Sequence, residues 1–104
     1  MVILMLIVEE IIQQELKRNE NMINIYSDII DNSPKGTIEI KKISNEEYLY
    51  LKYREDTRVI SKYCGKLCDN IQLVEQIEMK KHAKVLLKKL KEENIKLRKM
   101  VELL

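Results

Sequence analysis

TIEIKKISNEEYLYLKYREDTRVISKY, residues 37–63, is the stretch whose reading decides the fold. Ile38 and Ile40 alternate with Glu39 and Lys41. Leu49, Leu51 and Tyr53 alternate with Tyr48, Tyr50, Lys52 and Arg54, and Val59, Ser61 and Tyr63 with Arg58, Ile60 and Lys62. A period of two sends successive side chains to opposite faces of a strand. Tyr, Ile, Val and Thr are the residues that fit such a pleated surface. The linkers Ser44-Asn45-Glu46 and Glu55-Asp56-Thr57 are of hairpin length. The stretch therefore predicts a three-stranded antiparallel meander over about 36–64, one face packed on helices and the other wet and basic.

On its N-terminal side the period changes. Met5, Val8, Ile12, Leu16, Ile23, Tyr26 and Ile30 recur at helical steps and form one stripe. Ser33-Pro34 and Gly36 end that helix, since the residue before proline avoids the helical region; the span is 1–32. On the C-terminal side Gly65 breaks the third strand, and Asp69 with Gln72 three residues on reads as a helix start. Nothing then interrupts a helix over 70–104. The fold class is α+β, a single domain of two long helices and a small sheet.

Length and composition agree. A chain of 104 residues is one domain by the usual prior, and at this size it buries only about 60–68% of its unfolded surface, so oligomerisation would help it. With no Trp or Phe, the core falls to Ile, Leu, Val, Met and five Tyr. MVILMLIV at the N-terminus meets Glu9 and Glu10 after eight apolar residues, against about 20 for a spanning helix. It carries no basic leader pattern, so it reads as a buried helix start in a cytoplasmic protein without membrane contact. Cys64 and Cys68, with His82 as the only histidine, supply too few ligands for a four-coordinate structural zinc. They read as ordinary thiols of a reducing compartment, Cys68 as the buried one.

The C-terminal helix carries the strongest local signal. With Asn94 at heptad position a, Leu87 and Val101 share that position, and Leu90, Leu97 and Leu104 fall at d. Glu93 at g then attracts Arg98 at the following e, and a lone Asn at a is a known device for register and two-strandedness. Glu92 and Lys96 add an i,i+4 pair. Under three heptads, the seam reads either as a homodimer interface or as one side of a hairpin with the first helix; a four-helix dimer accommodates both.

Charge marks two candidate surfaces. Lys80 to Lys91 holds six lysines and no acid, either a stripe along phosphates or a solvated helix face whose stems cover apolar neighbours. The lack of arginine there weakens bidentate phosphate reading. The sheet interleaves Tyr48 and Tyr50 with Lys52 and Arg54, and adds Lys41, Lys42, Arg58 and Lys62 from its neighbours. Such a face can enter a major groove or stack single-stranded bases; the alternative is tyrosines that cover the sheet and charges that guard its edges.

The middle of the chain resembles a pattern in short, poorly characterised bacterial proteins. The matching residues are Pro34-Lys35-Gly36, the Ile/Lys strand TIEIKKI, YLYLKYR at 48–54, and SKYCGK at 61–66. Helices flank that motif on both sides in the family. The resemblance implies the architecture and no established activity. In shape and charge the sheet also looks like the strand modules that some recombinases and phage integrases use on DNA, and fold does not imply function.

No Ser-His-Asp order, zinc-protease motif or phosphate-binding glycine loop is present in the sequence. His82, amid lysines, reads as a surface residue. The expectation is a non-enzymatic homodimer without metal, cofactor or small-molecule substrate. It would bind DNA or RNA through the sheet, as a regulator from a bacterium, phage or mobile element. The alternative is a protein-binding inhibitor or adaptor, anti-defence or antitoxin-like, which the net charge of only +2 favours.

Overall fold

The computed structural model describes residues 2–104. Helix α1 spans Val2–Asp31, the strands are β1 (Thr37–Ile43), β2 (Glu46–Glu55) and β3 (Arg58–Lys66), and α2 spans Ile71–Glu102 after a 3-10 turn at Leu67–Asp69. The strands form one antiparallel sheet in the order β1-β2-β3. The α+β class and its element order are those the sequence predicts. Among the described residues no helix is long and apolar enough to cross a membrane.

Within the chain two compact units can be distinguished. The sheet unit runs from Asn32 to Lys81; the helical unit joins α1 to α2 from His82 onward. Helix α2 thus contributes its first turns to one unit and the rest to the other.

In the sheet unit, both hairpins close on two residues rather than three. Ser44 and Asn45 both take positive φ, 51° and 68°, between the paired Ile43 and Glu46. That is the backbone of a tight hairpin turn whose twist matches the strands. Asp56, at φ 53°, turns β2 into β3 between Glu55 and Arg58. Gly36 takes φ 110°, and a Cβ there would lie 2.8 Å from the Lys52 carbonyl oxygen, so the entry to β1 excludes every larger residue. Gly65 does not end β3. It lies inside the strand at φ 111°, where the register shifts and Cys64 is the extra residue of a bulge.

Leu49 and Leu51 are the buried side chains of the strands, and Ile77 of α2 is buried in the same unit. Lys80 Nζ donates to the Pro34 carbonyl at 3.1 Å, tying α2 to the loop that enters β1. The last residue before α2 is Asn70 rather than Asp69: its carbonyl accepts from the Val74 N–H at 3.0 Å. Its side-chain amide reaches backward to the carbonyls of Lys66 (2.7 Å) and Cys64 (3.1 Å), closing the turn after the bulge. Of the two free thiols Cys64 is half-buried and Cys68 exposed, the reverse of the expected order.

The helical unit is an antiparallel hairpin. Asn19 of α1 meets Leu90 and Asn94 of α2, and Leu4, Met5 and Val8 line a small hollow with Leu104. The stripe Ile12, Leu16, Ile23, Tyr26 and Ile30 is half-buried as the period predicts. Val2 to Val8 is not: every one of these side chains is exposed, where the sequence reading expects a buried helix start. The reason is geometric. A helix apolar all round needs cover on every side, and one neighbouring helix supplies one side.

Candidate nucleic-acid interface

Register decides which of the predicted residues share a face. Residues directly opposite in an antiparallel pair project to the same side of the sheet. Tyr48 is opposite Lys41, Tyr50 opposite Glu39 and Lys52 opposite Thr37 on β1. On β3, Tyr50 is opposite Tyr63, Lys52 opposite Ser61 and Arg54 opposite Val59; beyond the bulge Tyr48 is opposite Lys66. Lys41, Tyr48, Tyr50, Lys52 and Arg54 are therefore brought together, and Tyr63 and Lys66 join them.

Lys42, Arg58 and Lys62 go to the other face. They are opposite Glu47, Glu55 and Leu51 respectively, on the side of Leu49 and Leu51. The physical reason is loop length. A three-residue linker at Glu55-Asp56-Thr57 would set Arg58 opposite Arg54; the two-residue turn slides β3 by one position, and a slip of one flips every side chain. The same slip explains Tyr63, which the sequence reading puts on the core side and which is 56% exposed beside the other tyrosines. Hairpin length is the signal that would have found it.

The centre of this face is aromatic. The Tyr50 and Tyr63 rings lie 5.3 Å apart between centroids and Tyr48 and Tyr63 6.2 Å, both tilted, a favourable geometry for aromatic pairs. With Ile43 the three rings line a shallow open hollow. Lys41 Nζ stands 4.5 Å from the Tyr50 ring centroid, within cation–π range.

The charges are mixed rather than uniformly basic. Glu39 lies between two lysines, with Lys52 Nζ 3.2 Å from its Oε2 and Lys41 Nζ 3.9 Å from its Oε1. The Lys52 contact is an ion contact without hydrogen-bond alignment, which leaves the enclosed Oε2 without a hydrogen bond. Glu46 pairs with Lys66 at 3.0 Å, and the hydrogen bond and charge of that carboxylate hold the Lys66 ammonium above its ordinary pKa. Among the described residues of this face, Arg54 is the cation with no ion pair.

The second predicted site, the seam of α2, turns inward within the chain. Leu87, Leu90, Asn94, Leu97 and Val101 are half-buried and Leu104 is exposed. Asn94 Nδ2 donates to Asn19 Oδ1 at 2.8 Å, and Asn19 Nδ2 donates to the Leu90 carbonyl at 2.9 Å. Arg98 Nε donates to Asn94 Oδ1 at 2.9 Å, and its other end holds Glu20 at 2.8 Å. Both polar atoms of the fully buried Asn19 are thereby satisfied. The stripe reading of α1 passes over Asn19 because an amide is not counted in an apolar pattern. His82 is exposed.

No curated protein and no solved structure matches the chain. A family does match, over residues 6–69, which runs from the apolar start of α1 through the whole sheet to the last residue of the 3-10 turn. The match covers more than half of the sequence, and the chain belongs to that family, described as Domain of unknown function (DUF6788).

Proposed function

We propose that this protein binds nucleic acid through the tyrosine-bearing face of its sheet, with single strands favoured over duplex. The observation that carries the reading is the cluster of Tyr48, Tyr50 and Tyr63 inside a rim of Lys41, Lys52, Arg54 and Lys66 on one face. Aromatic rings stack bases of any sequence, at about 1–3 kcal/mol per base, while cations follow the phosphates. Glu39 and Glu46 in the same rim oppose the dense phosphate array of a duplex, which is why stacking on a separated strand is the better fit. The role is one of binding without chemistry, suited to a regulator in the cytoplasm of a bacterium or encoded by a phage or mobile element.

Fluorescence anisotropy with a labelled single-stranded oligonucleotide, over a range of salt, tests this. Replacing Lys52 and Arg54 together by Ala removes two phosphate contacts and should flatten the salt dependence by about 1.4 in the log–log slope. Tyr63→Ala should weaken binding by about 1–3 kcal/mol with little change of slope. Unchanged affinity at low salt in both variants rules the site out.

A second reading, a protein-binding inhibitor or adaptor, draws support from the apolar side chains exposed on the helical unit. It predicts a stoichiometric protein partner and affinity that survives salt.

A further inference from the structure

The tyrosine hollow has a larger neighbour. At the end of the sheet where β2 begins, Glu46, Glu47, Lys66, Leu67, Cys68 and Ile71 line an open hollow of about 460 Å³, within the size range of small-ligand sites. The hollow of Ile43, Tyr48, Tyr50 and Tyr63 measures about 230 Å³. The Glu46–Lys66 pair joins the two: Tyr48 Oη donates to Glu46 Oε2 at 3.5 Å, and Lys66 Nζ stands 3.0 Å from the same oxygen. All of these residues belong to the sheet unit. The bulge in β3 creates the junction. With Tyr50 opposite Tyr63, an unbroken ladder would set Gly65 opposite Tyr48; the extra residue Cys64 sets Lys66 there instead. Re-aiming a side chain beside a site is a common use of a bulge. Asn70 then fixes the wall that follows, since its amide donates to the carbonyls of Cys64 and Lys66 and pins the turn that carries Leu67 and Cys68.

We infer that the larger hollow takes the nucleobase next to the one stacked on the tyrosines, and that it selects guanine. The inference rests on the nucleic-acid reading of the tyrosine face and extends it to the choice of base. Leu67, Cys68 and Ile71 offer an apolar wall to the flat face of a base. Lys66 stands between the two hollows, where the phosphate joining two successive nucleotides would pass. Glu46 is already held by Lys66 and Tyr48, whereas Glu47 has no ion pair or side-chain hydrogen bond among the described residues. An ionised carboxylate only accepts, and its two oxygens pair best with two donors side by side. Guanine presents such donors, N1–H and the N2 amino group, on the edge that a single strand leaves open. Adenine and cytosine set an acceptor nitrogen beside their amino group, and thymine flanks its one N–H with two carbonyls. Each of these would turn a lone pair toward Glu47. A basic peptide is the poorer occupant, because Lys66 lines the same hollow and repels it.

The test is fluorescence anisotropy of the full chain with labelled single strands about nine nucleotides long, either all thymine or thymine with one central guanine, adenine or cytosine. The guanine strand should bind about tenfold more tightly than the all-thymine strand, while the adenine and cytosine strands stay within about twofold of it. Glu47→Gln, at an exposed position, should bring the guanine strand down to the all-thymine level. Ile71→Asp, in the first turn of α2 where an acid suits the helix dipole, sets a charge against the base. It should weaken the guanine strand about fivefold or more while far-UV circular dichroism stays the same. Equal affinity for all four strands overturns the inference and leaves the tyrosine face as the site. A guanine preference that survives Glu47→Gln overturns it too, as does an equal preference for adenine or cytosine. If no strand binds, the nucleic-acid reading itself falls and the inference falls with it.

Discussion

The two units of this protein solve the same packing problem in opposite ways. In the sheet unit the buried side chains are apolar: Leu49, Leu51 and Ile77, while tyrosines and lysines occupy the open face. In the helical unit the fully buried large side chain is an amide, Asn19, while the apolar run Val2 to Val8 at the start of α1 stands in water. A sheet with one covered face closes its own core within the chain. A hairpin of two helices closes one seam and leaves the rest of any all-round apolar helix exposed. The lesson is that the sheet unit's structure is complete in a single chain, whereas the helical unit's register is set by a polar network and its apolar surface awaits cover.

The comparison can be broken or sharpened by substitution, and the largest effect belongs to the sheet. Leu49→Ala should cost about 3 kcal/mol, the usual penalty for truncating a fully buried leucine, read as a shift in the urea unfolding midpoint. If the loss is below about 1 kcal/mol, the sheet does not close on Leu49 and the contrast between the units fails. Asn19→Ala should cost about 2 kcal/mol, because the Asn94 amide and the Leu90 carbonyl lose their partner inside the hairpin. Replacing Asn19 and Asn94 together by Leu should recover most of that stability, since no orphaned polar group remains, at the expense of a fixed register.

Smaller effects refine the picture. Gly36→Ala should destabilise by about 1–2 kcal/mol, from the positive φ and the close Lys52 carbonyl, and should leave helicity unchanged by circular dichroism. Arg98→Ala should change stability by less than about 0.5 kcal/mol, because the pair with Glu20 is largely exposed and screened by salt. A loss several times larger would mean that Arg98 supports Asn94 more than it pairs with Glu20, and would move the weight of the network outward to the surface.

Several elements were legible in the chain of letters. The alternation over 37–63 specified three strands, and the helical stripe from Ile12 to Ile30 specified the packed side of α1. Pro34 and Gly36 marked the boundary between them. The heptad pattern identified the seam of α2 but not its partner, because a/d residues facing a second copy and a/d residues facing α1 have the same spacing. Three of the eight predicted sheet residues, Lys42, Arg58 and Lys62, lie on the other face for a related reason. Alternation tells which residues on one strand share a face, and turn length alone tells how the faces of two strands align.

Sequence by itself determined what depends on neighbours a few positions apart: element type, element order, and the chemistry of Tyr48, Tyr50, Lys52 and Arg54 on one strand. Tertiary structure decided what depends on pairing across the chain. It moved Lys42, Arg58 and Lys62 to the opposite face, brought Tyr63 and Lys66 into the site, and joined Asn19 to Asn94. The physical reason is that local periodicity is a property of each strand or helix alone, while register is a property of two elements, fixed by one residue more or less in the turn between them.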